Sequence, residues 1–231
     1  MDFGVIVEYF PRLMTGAWTT IQLVVISGVI GSLMALPIGL ARHSGNVWIK
    51  ALPFAYIFFF RGTPLLVQMF LVYYGVAQFE AVRDSMLWPY LREPYWCAII
   101  AFCLNTSAYT AEILRGALSA IPRGEVEACK VVGMSKVLTY RRILLPRAFG
   151  MIVPAYGNEI ILMLKSSALA STITLLDLTG MARTIIARTY TPIEIFLAAG
   201  AIYLAMSLVI IGLFRLIEQR QNRYMQPLAA K

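Results

Sequence analysis

The chain has 231 residues, of which 59% are hydrophobic and only 14% charged, with a formal net charge of +8. Soluble domains average about 25% charged residues, so this composition argues against a soluble fold. Three cysteines, an odd number, argue against a disulfide framework, and a single histidine leaves no Cys/His metal cluster.

The first apolar run covers residues 18–41 and contains no Asp, Glu, Lys or Arg. Asp2 and Glu8 precede it where a secretory leader would be basic, so an uncleaved span is expected. Gly28, Gly31, Ser32, Ala35 and Gly39 put small residues on this helix, which permits close packing in lipid. Pro37 is expected to kink its end. Residues 51–60 are a shorter apolar piece. Arg61-Gly62-Thr63-Pro64 then reads as a turn between a surface-lying helix and a second span at 62–79. A loop with Trp88, Tyr90, Tyr95 and Trp96 in or beside it resembles an interfacial belt ahead of a third span, 94–114.

A basic stretch, 115–147, follows. The fourth span, 148–165, contains Glu159 and ends at Lys165. Residues 166–192 are less apolar, with Ser166, Ser167, Ser171, Thr172 and Thr174, and read as a broken, re-entrant or outer-surface helix, or as a plain connecting loop. The fifth span is 195–214. Each run is about long enough to cross a ~30 Å hydrocarbon layer. The expected fold class is therefore all-α: an integral membrane bundle of five transmembrane helices in one domain, 1–231.

Orientation follows from the basic residues. With the N-terminus outside, residues 42–61, 115–147 and 215–231 lie inside. Those segments hold fourteen of the twenty Lys and Arg, including Arg215, Arg220, Arg223 and Lys231. The net charge is thus an orientation signal, and no basic face on a soluble domain points to nucleic acid.

Pro122 suits the first turn of a helix in the inner loop. Val126, Cys129 and Val132 recur at three-residue intervals as one apolar face, and Glu127 and Lys130 are placed to pair. Gly133 is expected to cap this helix with positive φ, Ser135 to cap a second one, and Pro146 to mark the break into the fourth span. Two short helices bent at a glycine make a rigid knob suited to docking into a partner's groove, or to resting on anionic headgroups.

The loop also reads as Glu127-Ala128-Cys129, three residues, Gly133, nine residues, then Ile143-Leu144-Leu145-Pro146. This spacing resembles the EAA loop of permease subunits of bacterial ABC importers, with Cys129 as the one departure. Arg61-Gly62-Thr63-Pro64-Leu65-Leu66-Val67-Gln68 and Asn105–Gly116 are similar to polar-amino-acid permeases. So is Gly157-Asn158-Glu159 with Leu164–Leu169.

The resemblance implies a type I importer permease of the bacterial inner membrane that works by alternating access. Its implied partners are a second, similar permease subunit, two cytoplasmic ATP-binding subunits that hold ATP and Mg, and a periplasmic binding protein. Glu127, Ala128, Cys129, Gly133, Ile143, Leu145 and Pro146 would then couple to the ATPase. The implied cargo is histidine, arginine, lysine, ornithine or an opine, with a glutamine/glutamate-type importer as the alternative. This chain has no G-x-x-x-x-G-K-[ST], so nucleotide belongs on another polypeptide. A passive channel or an intramembrane enzyme are readings of other classes, but no H-E-x-x-H or catalytic dyad is visible, and neither catalytic nor metal-ligating residues are expected.

Polar residues at depth mark the candidate substrate pathway. Glu159 lies eleven residues into its span, about 17 Å at helical rise, and an ionisable group there is functional by default. A structural pair with Lys165 or a hydrogen bond to Asn105 is the competing explanation. Asn105 and Lys165 are also candidates on this pathway, as are Asn158, Gln68 and Thr63, which also serve as interhelical glue.

Overall fold

Small residues decide how closely the helices of this chain approach. The computed structural model describes residues 4–222, whose regular structure is all helical. The α-helices are α1 (Gly4–Arg42), α2 (Val47–Gly62), α3 (Leu65–Phe70), α4 (Glu80–Arg83), α5 (Trp88–Leu91), α6 (Pro94–Ala120), α7 (Arg123–Val131), α8 (Lys136–Thr139), α9 (Leu145–Ser166), α10 (Leu178–Thr189) and α11 (Pro192–Asn222). Asp2, Arg223 and Lys231, used in the leader and orientation arguments, lie outside the described residues.

Three helices, α1, α6 and α11, are each long and apolar enough to cross a membrane. Two bent pairs are long and apolar enough only when each is taken together. One joins α2 to the helical turns ending at Gln78, at 105°, and the other joins the run from Lys136 to Ile173 to α10, at 49°. The described residues thus supply three to five spans.

Several boundaries differ from the sequence expectation. The first helix starts well before residue 18 and runs unbroken through Pro11 and Pro37. The expected second span, 62–79, is only one arm of a bent pair. Thr63 and Pro64 are extended, because Pro64 has no N–H to continue the ladder and biases its predecessor away from helix. Pro146 does not break the fourth span. Helix runs from Lys136 to Ser166 through a π-turn at Tyr140–Leu144, and Pro146 sits in the first turn of α9. The wider π-turn accommodates the donor that proline lacks. Residues 166–192 form a broken helix, a 3-10 turn over Ser167–Ile173 followed by α10, with Thr174 at φ 67° in the break.

Lipid provides no hydrophobic drive between helices, so van der Waals packing at small residues must hold them. A Cβ on Gly31 of α1 would lie 3.2 Å from Thr106 of α6, and one on Gly16 would lie 2.9 Å from the Asp177 carbonyl ahead of α10. The central core gathers Leu23, Met69, Phe102, Met163, Leu164 and Ile173. A second cluster, with Leu13, Leu178, Ile185 and Ile195, joins the start of α1 to α10 and α11. A third, with Leu114, Leu118, Ile121, Leu144 and Ala148, holds the base of the basic loop.

Candidate functional site

The break between α2 and α3 organises the polar interior. Pro64 leaves the Phe60 carbonyl without its usual i+4 donor. Gln68 reaches back from α3 to fill the gap. Its Nε2 donates to Phe60 O at 2.8 Å, to Thr63 O at 3.0 Å and to Thr63 Oγ1 at 2.8 Å. Its Oε1 accepts from Asn105 Nδ2 at 3.0 Å, and Asn105 also donates to Phe60 O at 3.3 Å. Three candidates, Thr63, Gln68 and Asn105, therefore come together, and their first task is to satisfy an interrupted helix.

Beside this break lies a cavity of about 280 Å³. Thr63, Asn105, Tyr109, Glu159 and Ser166 supply its polar lining, and Phe102 and Leu162 part of its apolar wall. Glu159 is 8% exposed. Among the described residues it has no ion pair, and Arg61 acts on it electrostatically without forming one. Glu159 meets neither of the partners expected for a structural role: Lys165 is exposed on α9 and forms no ion pair with it, and Asn105 is committed to Gln68 and Phe60. Asn158 is also exposed and does not line the cavity.

The coupling candidates occupy a separate place, between α6 and α9. Glu127 and Ala128 are exposed on α7, and Cys129 is buried on its inner face. Gly133 adopts φ 77°. Its N–H bonds Lys130 O at 3.0 Å, and Met134 N–H bonds Cys129 O at 2.9 Å, the paired closure that ends a helix at a left-handed residue. Ser135 Oγ accepts from Leu138 N–H at 3.3 Å and caps α8. Ile143 and Leu145 are half-buried, and Pro146 is exposed.

Two details of the loop differ from expectation. Val132 is 80% exposed and does not share the buried face of Cys129, because α7 ends at Val131 and the chain turns away. Glu127 and Lys130 form no ion pair among the described residues; instead Glu125 meets Arg147 of α9 at 2.9 Å, bracing α7 against the next helix. Val131, Val132 and Val137 project outward as an apolar tip.

Residues 27–223 match the family described as binding-protein-dependent transport system inner membrane component. The chain belongs to that family. It is a membrane transport component rather than an enzyme, and relatives align along nearly its full length. It is 49% identical to the octopine transport system permease protein OccM of Rhizobium meliloti, over 91% of this chain and 86% of that protein. It is 47% identical to the nopaline transport system permease protein NocM of Agrobacterium fabrum, over 98% and 94%. It is 42% identical to the histidine/lysine/arginine/ornithine transport system permease protein HisM of Escherichia coli, over 92% and 90%.

A crystal structure of an amino acid ABC transporter with histidines superposes on this permease with a TM-score of 0.85 at 37% identity, covering 95% of this chain and 99% of that one. The inward-facing MetNI methionine ABC transporter matches at TM-score 0.73 and 18% identity, which shows the fold alone.

Sequence reasoning overlooked two features, one at this site and one away from it. Tyr109 lines the Glu159 cavity while its ring carries the Arg61 guanidinium 5.2 Å from its centroid. The spacing Arg61-x-x-Pro64 was the available signal, since a cation beside a broken helix must find a partner across the break. Asp177, fully buried, was passed over because nothing in an isolated Asp reveals burial.

Proposed function

We infer that this permease carries amino acids with a cationic side chain, or opines built on them, as a subunit of an ATP-driven importer. The observation that carries this is Glu159, a buried carboxylate in a cavity of about 280 Å³ with no ion pair among the described residues. A carboxylate at that depth is costly unless a cation meets it. Guanidinium, ammonium and imidazolium groups all meet the requirement, the first with a bidentate fit. The substrates in the relatives' names, octopine, nopaline, histidine, lysine, arginine and ornithine, share such a group.

The working unit in this reading comprises a second, similar permease subunit, two ATP-binding subunits holding ATP and Mg on the inner side, and a periplasmic binding protein. Support comes from the apolar tip on the α7–α8 loop and from the lack of a nucleotide-binding loop in this sequence. Each bent pair counts as one span, giving five, with the N-terminus outside. Reporter fusions at Ala120 and Asp84 should then report cytoplasm and periplasm respectively.

Glu159→Gln keeps the size and removes the charge. Arginine uptake into proteoliposomes should fall by tenfold or more, roughly the value of one charge-assisted contact. Assembly with the ATPase and hydrolysis triggered by the binding protein should survive. Unchanged uptake, or loss of the folded complex, would show that Glu159 is structural.

A further inference from the structure

A second cavity, about 270 Å³, opens where the end of α1 meets α2 and α6. Its walls combine Arg42 and Arg61 with Glu112 and the rings of Phe54 and Phe58. Each arginine is held by a ring face. Arg42 Cζ lies 5.0 Å from the Phe54 centroid, and Arg61 Cζ lies 5.2 Å from that of Tyr109. A guanidinium stacked this way keeps its N–H edge available for an acceptor in its plane.

No acceptor from the described residues fills that role. Glu112 is the one carboxylate in the wall, and Arg115 claims it through Nε at 2.8 Å and through Nη2. Arg42 and Arg61 form no ion pair among the described residues. Arg42 Nε is buried and has no hydrogen-bond partner among the described residues. Buried donors are nearly always paired, and a charged one left alone is especially costly. Three guanidiniums facing one carboxylate leave an excess of positive charge, so the missing partner is an anion.

Depth and surroundings narrow its chemistry. Arg42 is the last residue of α1, and Glu112 lies eight residues from the end of α6, about 12 Å along the helix. That places the cavity at a membrane boundary. Beside it, α2 leaves Trp48, Leu52 and Phe58 exposed at 88%, 79% and 71%. A soluble anion would satisfy the arginines but leave this apolar face uncovered. A phospholipid supplies both a phosphate for the guanidiniums, which it fits bidentately, and acyl chains for the rings.

We propose that Arg42 and Arg61 bind the phosphate of an anionic phospholipid, whose acyl chain lies along α2. Native mass spectrometry of the full complex, given dioleoylphosphatidylglycerol or dioleoylphosphatidylcholine, tests this directly. The wild type should retain the glycerol lipid roughly tenfold better than the Arg42→Gln/Arg61→Gln variant. The Arg42→Lys/Arg61→Lys variant should fall between them, because lysine keeps the charge without the planar fork. Inorganic phosphate or free arginine at millimolar concentration should not displace the lipid. Equal retention by wild type and the glutamine variant, or displacement by either solute, overturns the lipid site. If the glutamine variant fails to assemble, the wild type decides alone. Its unfolding midpoint must be higher in nanodiscs of the glycerol lipid than of the choline lipid, and equal midpoints overturn the proposal.

Discussion

Gly39 of α1 and Ala111 of α6 meet backbone to backbone: a Cβ on Gly39 would lie 2.9 Å from the Ala111 carbonyl oxygen and 2.8 Å from Leu114 Cδ2. The leucine tip can move, but the carbonyl is fixed in its helix. Gly39→Ala gains about 1 kcal/mol of helix propensity. Forcing the two helices apart costs about 1–3 kcal/mol. A net loss is expected, larger for Gly39→Val, read as a lower unfolding midpoint of the purified complex. Gly116, also helical but with open space around its Cβ position, is the control. Gly116→Ala should be neutral or stabilising by about 0.5–1 kcal/mol. A Gly39→Ala protein as stable as the Gly116→Ala protein would show that α1 and α6 separate at little cost.

This contact was legible in the sequence, since small residues at Gly28, Gly31, Ala35 and Gly39 announce a face built for close approach. Local chemistry was equally readable at Gly133, whose positive φ follows from ending a helix, and at Ser135. What the sequence could not reveal was tertiary. Pro64 announced a break, but the 105° bend depends on Gln68 and Asn105 arriving from elsewhere to satisfy Phe60. Pro146 looked like another break, yet the π-turn before it lets the helix continue. Glu159 was legible as a buried charge, whereas its exclusion from Lys165 and Asn105 depended on which way each side chain faces.

Gly133 has open space around its Cβ position, so a substitution there acts through the backbone rather than through a clash. Holding an ordinary residue at φ 77° costs about 1–2 kcal/mol, enough to shift the loop's conformational balance roughly 5- to 30-fold. Gly133→Asp also places a carboxylate next to the exposed Val131 and Val132. Transport should be abolished while membrane insertion stays intact. Gly133→Asn should be much milder, because asparagine matches aspartate in size and in tolerance of the left-handed region but carries no charge. Uptake assays paired with co-purification of the ATPase measure both. Normal transport by Gly133→Asp would remove the docking role from this loop.

His43, in the turn after α1, titrates below the usual histidine range, because burial disfavours its charged form and Arg115 adds repulsion. Its Nδ1 lies 3.4 Å from Ser119 Oγ, and its ring meets Tyr140 edge-on at 6.5 Å. The unfolded chain therefore takes up this proton first as pH falls. The folded state loses stability on acidification through pH 6.5, the penalty growing until the folded-state value is passed and constant below it. Above pH 6.5 the group contributes no such loss. Unfolding midpoints measured between pH 5 and 8 should show this dependence, and His43→Gln should flatten it. An unchanged slope in that variant would assign the dependence to other groups.

Asp177 ties α10 to its neighbours from a position with no solvent exposure. Its Oδ1 accepts from Gly180 N–H at 3.0 Å and its Oδ2 from Thr179 N–H at 3.2 Å, capping the helix. Tyr203 of α11 donates its hydroxyl to Oδ2 at 3.3 Å, and Leu178 N–H donates to Thr20 Oγ1 of α1 at 3.1 Å. The cap is thus also a three-helix junction. Asp177→Ala removes the cap and leaves buried donors unsatisfied, a loss of about 2–4 kcal/mol. Asp177→Asn keeps an acceptor oxygen and should lose less. Tyr203→Phe removes two hydrogen bonds, one with Asp177 Oδ2 and one with Thr179 Oγ1, costing about 1–3 kcal/mol. The double-mutant cycle separates the cap from the junction. If Tyr203 stabilises the fold through Asp177, the two losses combine to less than their sum. Strict additivity would mean that the 3.3 Å contact contributes nothing, and that α10 is held by its cap, by the Thr179–Tyr203 hydrogen bond and by its packing on α1 and α11.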